Sequence, residues 1–330
     1  MPCQDRCALG CIDRLEDWLY QRGYCKLIFG FLNRFMKQLG NALVFAVYIL
    51  TAVITFTSYA ILLPYEQKYQ SPWILSIYAA VGFYFCISIV YHYTMARTLP
   101  PISNHGKEGD KWCSKCANWK CPRTHHCSVC QKCVLGMDHH CIWVNQCVGT
   151  HNHRHFFMFI FFLSFTTIMI AWVGFNTIYD HVFEVRYLTE YFYCTTTLDY
   201  APLQTWICDQ GELARNLIIF VYLLCALLIL LVGGLTLWNV YLITKGFTYV
   251  DYLLSQLKMV RYFVEEKGWD GRTIGYRNPY DLGWRENWRN FLGLRRNRTF
   301  WRHVLLPSGH PPIIIDEKGD PESVLVVEQV

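Results

Sequence analysis

Charged side chains are scarce in this chain. Asp, Glu, Lys and Arg make up 17% of its 330 residues, where a soluble globular protein carries about a quarter. With 53% hydrophobic residues, that deficit argues against an ordinary soluble domain and for a membrane protein. A strong positive excess is missing too. The formal charge is +5, too mild for nucleic acid to be expected as a partner. No cleavable leader is expected, because Arg6, Arg14, Arg22, Lys26, Arg34 and Lys37 fill the first forty residues ahead of any long apolar run.

The apolar residues are gathered into four stretches. Residues 41–63, 72–93, 155–175 and 217–242 each approach or exceed the roughly 20 residues that span a bilayer core. Residues 27–36 are apolar but short and hold Arg34, which reads as a surface-lying segment. Cations set the orientation. Six Lys/Arg lie in residues 1–40, eight in 97–154 and thirteen after Leu242. The connection 64–71 has only Lys68, and 179–212 sets Arg186 against Asp180, Glu184, Glu190, Asp199, Asp209 and Glu212. Both termini and residues 97–154 are therefore expected in the cytosol, and 179–212 in the lumen. The expected fold is an all-α polytopic membrane protein. Four transmembrane helices flank a cytosolic cysteine-rich domain (97–154) between spans 2 and 3, with an N-terminal tail (1–40) and a C-terminal tail (243–330).

Cysteine and histidine are concentrated in one place. Residues 113–147 hold eight of sixteen cysteines and four of twelve histidines. One pattern, C-x2-C-x9-H-x6-C, occurs twice: Cys113, Cys116, His126 and Cys133, then Cys127, Cys130, His140 and Cys147, fourteen residues on. Six thiols and two imidazoles in that register make two structural zinc sites. Each has four protein ligands and no open position, so neither is suited to activating water. A reducing cytosol keeps such thiols metal-bound. On the other side, Cys194 and Cys208 fit a disulfide and two free thiols equally well.

The repeat continues past its second metal unit. Thr124-His125-His126-Cys127 becomes Asp138-His139-His140-Cys141. Cys141 would begin a third unit, but Val144 stands where its second cysteine would be. A leftover thiol, a histidine two residues before it and an adjacent carboxylate are the parts of an activated nucleophile. His139 is the base, and Asp138 orients it. A zinc with three thiolates carries net charge −1, so activation of Cys141 falls to His139 rather than to the metals.

These residues resemble the cysteine-rich domain of the DHHC protein S-acyltransferases. The resemblance rests on Asp138-His139-His140-Cys141, on Trp143, Asn145, Cys147 and Gly149 after it, on Arg123-Thr124-His125-His126-Cys127 before it, and on Asn152 and Phe156. Thr248-Tyr249-Val250-Asp251 occupies the place of the family's T-T-x-E motif. Asn278-Pro279-Tyr280-Asp281-Leu282-Gly283, Asn287-Trp288 and Phe291-Leu292-Gly293 resemble its C-terminal packing motif. With Val304-Leu305-Leu306-Pro307-Ser308, this is most similar to the Abl-philin-type animal branch. Several positions depart from the pattern: Ile142 for proline, Gln146 for asparagine, Cys121-Pro122 for a Lys-Pro one residue away, residues 97–101 for a D-P-G turn, and Tyr249 and Asp251 for Thr and Glu.

The resemblance implies transfer of a fatty acyl group, palmitoyl, from acyl-CoA to cysteines of cytosolic or membrane proteins through an acyl-enzyme on Cys141. It implies endoplasmic reticulum or Golgi, and Lys120, Arg123 and Trp143 as contacts to CoA. An acyl tail gains about 0.8 kcal/mol per CH₂ buried in a bilayer, so an acyl cavity is expected among the spans with Cys141 at its cytosolic mouth. Other features read more plainly. His151, His153 and His155 suggest an interfacial strip, and Arg285, Arg289, Arg295, Arg296, Arg298 and Arg302 contact with anionic headgroups. Cys3, Cys7 and Cys11, spaced by four, are either acylated or free thiols. Two competing readings are a membrane-anchored zinc module of RING type, which lacks the spare Asp-His-x-Cys, and a silent scaffold, which the complete triad disfavours.

Overall fold

The computed structural model describes residues 23–102, 106–183, 211–265, 278–295 and 297–310. Cys3, Cys7, Cys11, Cys194, Cys208, Arg296 and most of the acidic connection lie outside them.

Helix α1 (Gly23–Thr57) runs through a π-helical turn (Ser58–Leu62) into α2 (Leu63–Glu66). The apolar run 27–36 is the beginning of α1 rather than a separate element. After it come α3 (Pro72–Thr98), six short strands, α4 (His153–Val173), α5 (Phe175–Phe183), α6 (Gly211–Thr244), α7 (Tyr249–Glu265) and α8 (Trp284–Phe291). Pro72 and Gly174 mark two of the breaks: proline fits the first turn of a helix, and glycine follows its last.

Among the described residues, four helical stretches are long and apolar enough to cross a membrane: Gly30–Glu66, Pro72–Thr98, His153–Val173 and Glu212–Thr244. The chain is an integral membrane protein. Helix α4 packs between α3 and α6. It is apolar on all sides and the most buried of the four, as its central place requires.

The expectation of an all-α protein is corrected in residues 106–152. Strands β1 (Lys111–Cys113) and β2 (Asn118–Lys120), β3 (Thr124–Cys127) and β4 (Lys132–Leu135), and β5 (His139–Cys141) and β6 (Gln146–Val148) form three separate antiparallel hairpins. Strands of three or four residues rich in Cys and His carry no apolar alternation, so periodicity does not reveal them.

The hairpins are tied to the helices by polar side chains. Fully buried Asn152 donates through Nδ2 to the carbonyls of Ala96 (2.9 Å) and Cys147 (3.0 Å), and its Oδ1 accepts from Gly149 N–H. Gln146 caps the end of α3 by donating to the carbonyls of Ala96 and Leu99. Asn145 donates to Lys37 O and Asn41 Oδ1 on α1. Gly40 permits that approach, because a Cβ there would collide with the Asn145 side chain.

Candidate active site and metal centres

The three hairpins explain the doubled ligand pattern. His126 faces Cys133 across β3–β4, and His140 faces Cys147 across β5–β6. Each such pair meets the C-x2-C turn of the preceding hairpin. The ligand atoms of each set lie within 4.8 Å of one another. In the first set Cys116 Sγ is 3.6 Å from Cys133 Sγ and 3.2 Å from His126 Nδ1. In the second, Cys130 Sγ is 3.4 Å from both Cys147 Sγ and His140 Nδ1. Tetrahedral zinc with bonds near 2.3 Å to sulfur and 2.0 Å to nitrogen sets its ligands about 3.5–3.8 Å apart. Both clusters fit that ion, and both could hold zinc.

The third hairpin is built like the other two but holds no metal set. Its turn repeats their backbone: Ala117, Gln131 and Asn145, each four residues after the first cysteine of its turn, have φ of 49°, 55° and 52°. In the second hairpin Cys130 N–H points at Cys127 Sγ, 3.4 Å away. In the third, the N–H groups of Val144 and Trp143 favour the thiolate of Cys141 in the same way. A turn shaped to bind a metal-bound thiolate thus surrounds a thiol that has none. Burial pushes that thiol up; the hydrogen bond and charge of His139 and these two amides outweigh it and leave it below its ordinary value.

Asp138 is 3% exposed and fully engaged. Its Oδ2 lies 2.7 Å from His139 Nδ1, and its Oδ1 accepts Tyr249 N–H at 2.6 Å and faces His153 Nε2 at 4.0 Å. Burial alone would raise this carboxyl; His153, His139 and the Tyr249 amide hold it at about 2. Burial would lower His139, but its bonds to Asp138 and Cys141 raise it to about 9. Asp138 is hydrogen-bonded to His139, and His139 in turn favours the thiolate of Cys141.

The Tyr249 amide is an unfilled donor of the first turn of α7, so a helix N-terminus is docked on the Asp138 anion. Thr248 and Asp251 fix that terminus. Thr248 Oγ1 accepts Asp251 N–H, and Asp251 Oδ2 accepts Thr248 N–H, a reciprocal capping box. The same carboxylate holds Arg123 at 2.6 Å, while the guanidinium stacks 4.5 Å from the Tyr280 ring centroid. Of the three residues expected to contact CoA, Arg123 is therefore tied to α7. Lys120 lies half-buried on β2 opposite Lys111, and Trp143 is 52% exposed in the turn after Cys141. Asp251→Ala is expected to lose the reciprocal half of that box, a hydrogen bond worth about 1 kcal/mol, and less than that from the partly exposed ion pair. A lower thermal-aggregation midpoint with unchanged zinc content checks this; an unchanged midpoint contradicts it.

The three alternating histidines do not form a strip. His151 reaches the Pro100 carbonyl. His153 is buried between Asp138 and Asn239, and His155 is buried against His92. His153, Asn239 and the Tyr249 amide complete the surroundings of Asp138. They lie too far from it in sequence for spacing to reveal them.

Comparison with known proteins gives the family. Residues 106–256 match the family model described as DHHC palmitoyltransferase. The chain is 32% identical over 295 residues to palmitoyltransferase ZDHHC16 of Bos taurus and of Homo sapiens, covering 86% of this chain and 76% of theirs. It is 31% identical over 202 residues to palmitoyltransferase PFA3 of Debaryomyces hansenii, covering 60% of this chain and 43% of that one. The chain belongs to the DHHC palmitoyltransferase family and is a protein S-palmitoyltransferase. Its relatives of the ZDHHC16 type are the Abl-philin branch that the tail motifs resemble.

Proposed function

We propose that Cys141 carries the acyl group between donor and substrate, with His139 as base and Asp138 as its orienting partner. The observation that carries this reading is the Asp138–His139 hydrogen bond beside a turn whose thiol belongs to neither metal cluster and is held by His139 below its ordinary value. The thiolate attacks the thioester carbonyl of palmitoyl-CoA, the carbon–sulfur bond to CoA breaks, and the departing thiolate takes the proton held on His139. A substrate cysteine then gives its proton to His139 and attacks the acyl-enzyme, and Cys141 leaves as thiolate. Thioester replaces thioester in both steps, so positioning and a good nucleophile are what the site must supply.

Two structural zinc ions hold the hairpins, with Cys113, Cys116, His126 and Cys133 on one and Cys127, Cys130, His140 and Cys147 on the other. For the acyl tail, the proposed site is an open, largely apolar cleft between α1, α3 and α4. Ile89 lines it and also packs in the core that contains Cys141. Thr166 and Thr167 line it, their hydroxyls bonded to their own helix. Lys120 and Trp143 are the proposed contacts to CoA; Arg123 contributes its remaining charge. The cation distribution supports a cytosolic side for both termini and the zinc hairpins, and the family resemblance supports a membrane of the endoplasmic reticulum or Golgi. The other partners are the bilayer and cysteine-bearing cytosolic or membrane proteins, not nucleic acid.

Labelled palmitoyl-CoA tests the two steps. Detergent-purified full-length protein is expected to gain a hydroxylamine-labile label, which chases into a cysteine-bearing substrate. Transfer without an enzyme-bound stage would contradict the scheme. Asp138→Asn is expected to lower the rate of self-acylation by about 10²–10⁴-fold, since an amide leaves His139 in the wrong tautomer. Both zinc ions should stay. A change of less than about fivefold would mean that Asp138 does not orient the base.

A further inference from the structure

The chain after α8 turns back into the helix bundle. Val304 is buried in the main core, against which Tyr84 and Phe85 of α3 also pack. Tyr84 donates its hydroxyl to the Leu305 carbonyl at 2.6 Å, and its ring meets Phe162 of α4 at 5.7 Å. Two rulers give the depth of that contact. At 1.5 Å per residue, Tyr84 lies about 21 Å along α3 from Thr98, and Phe162 about 13 Å along α4 from His153. A bilayer core is about 30 Å thick, so Leu305 sits well below the level where α3 ends and α4 begins.

Both limbs of this segment return to that level. On the way in, Arg154 donates to Leu292 O, and Arg298 to Gly293 O. On the way out, Arg154 donates to the carbonyls of Ser308 (3.0 Å) and His310 (3.1 Å). Arg154 lies in the first turn of α4. Residues 297–310 therefore dip along α3 and α4 and rise again.

Backbone at such depth must find its hydrogen bonds within protein. This segment does so through a π-helical turn, Trp301–Leu305. His303 N–H donates to Thr299 O, Leu306 N–H to Trp301 O, and Leu305 O accepts from Tyr84. The outer face is apolar and uncovered: Phe300 is 46% exposed, Trp301 74% and Leu306 57%. Exposed Arg302 has a stem long enough to carry its charge to the headgroups.

We infer that residues 299–307 form a re-entrant segment whose outer face, Phe300, Trp301 and Leu306, is covered by lipid of the leaflet on the Cys141 side. This requires only that α1, α3, α4 and α6 cross the membrane; it does not depend on the acyl-transfer chemistry.

Fluorine NMR of the full-length protein labelled with 5-fluorotryptophan in lipid nanodiscs tests it. Trp301→Phe and Trp112→Phe assign two resonances, the second from an exposed residue of the first zinc hairpin. Lipid carrying a nitroxide at acyl carbon five should erase the Trp301 signal and spare Trp112; a soluble gadolinium chelate should do the reverse. Loss of both signals to gadolinium would overturn the inference. So would protection of Trp301 from both agents, because protein would then be what covers it. Should Trp301→Phe misfold, benzoylphenylalanine at position 300 gives a second reading: cross-linking to lipid supports the inference, and its absence overturns it.

Discussion

Cys141→Ser is expected to abolish both self-acylation and transfer to substrate, a fall of at least about 10³-fold. The geometry explains why the loss should be so complete. The site offers no second nucleophile in the same turn, since Val144 occupies the position that would otherwise hold one. A serine hydroxyl in this place is a far weaker acid than a thiol, so it would not rest as an anion paired with His139. An oxyester, if formed, would be a poorer acyl donor to a thiol. Folding should be spared, because Cys141 Sγ belongs to neither ligand cluster. Radiolabel counting with zinc analysis on the same sample checks both halves. Loss of one zinc would mean that the leftover cysteine has been misassigned.

Cys127→Ser is expected to be as damaging by a different route. Cys127 belongs to the second cluster, in which His140 is also a ligand. His140 lies between His139 and Cys141 on β5. The second metal therefore fixes the strand that carries the nucleophile and its base. Hairpins of this size bury little beyond their own ligands: the local core is Cys127, Val134 and Cys147, with Val129, Cys130 and Met137 packed against it. Zinc binding in such units supplies about 10–16 kcal/mol, which is also folding energy. The variant should retain at most one zinc per chain and no transfer activity, while far-ultraviolet dichroism still shows the four long helices. Two zinc ions and normal activity would contradict this.

Much of the site was legible in the sequence, for a physical reason. Metal ligands are bound by spacing, because a C-x2-C turn and a cross-strand His/Cys pair each fix their separation along the chain. The failed third copy was visible the same way, as Val144 in a cysteine's place. What spacing does not encode are contacts between distant segments. Tyr249 is 111 residues from Asp138, yet its amide holds that carboxylate. Arg123 read as a free cation near an anionic ligand; Asp251, 128 residues away, already holds it. His153 and His155 looked interfacial because they alternate beside a span, but the bundle buries them on separate polar partners. The strands escaped because metal, rather than an apolar face, organises them. The dip at Trp301–Leu305 escaped because a short π-turn with Arg302 and His303 resembles neither a span nor an amphipathic helix.

The central claim is that one thiol, left out of the metal sets, carries the acyl group. Mapping that group tests it most directly. Wild-type protein is mixed with palmitoyl-CoA, quenched in acid within a single turnover and digested, and the acylated peptides are located by mass spectrometry. One palmitoyl group on Cys141, removed by hydroxylamine and formed with one equivalent of released CoA, is the predicted result. A palmitoyl group on Cys121 or on a metal-cluster cysteine, with Cys141 unmodified, would contradict the account.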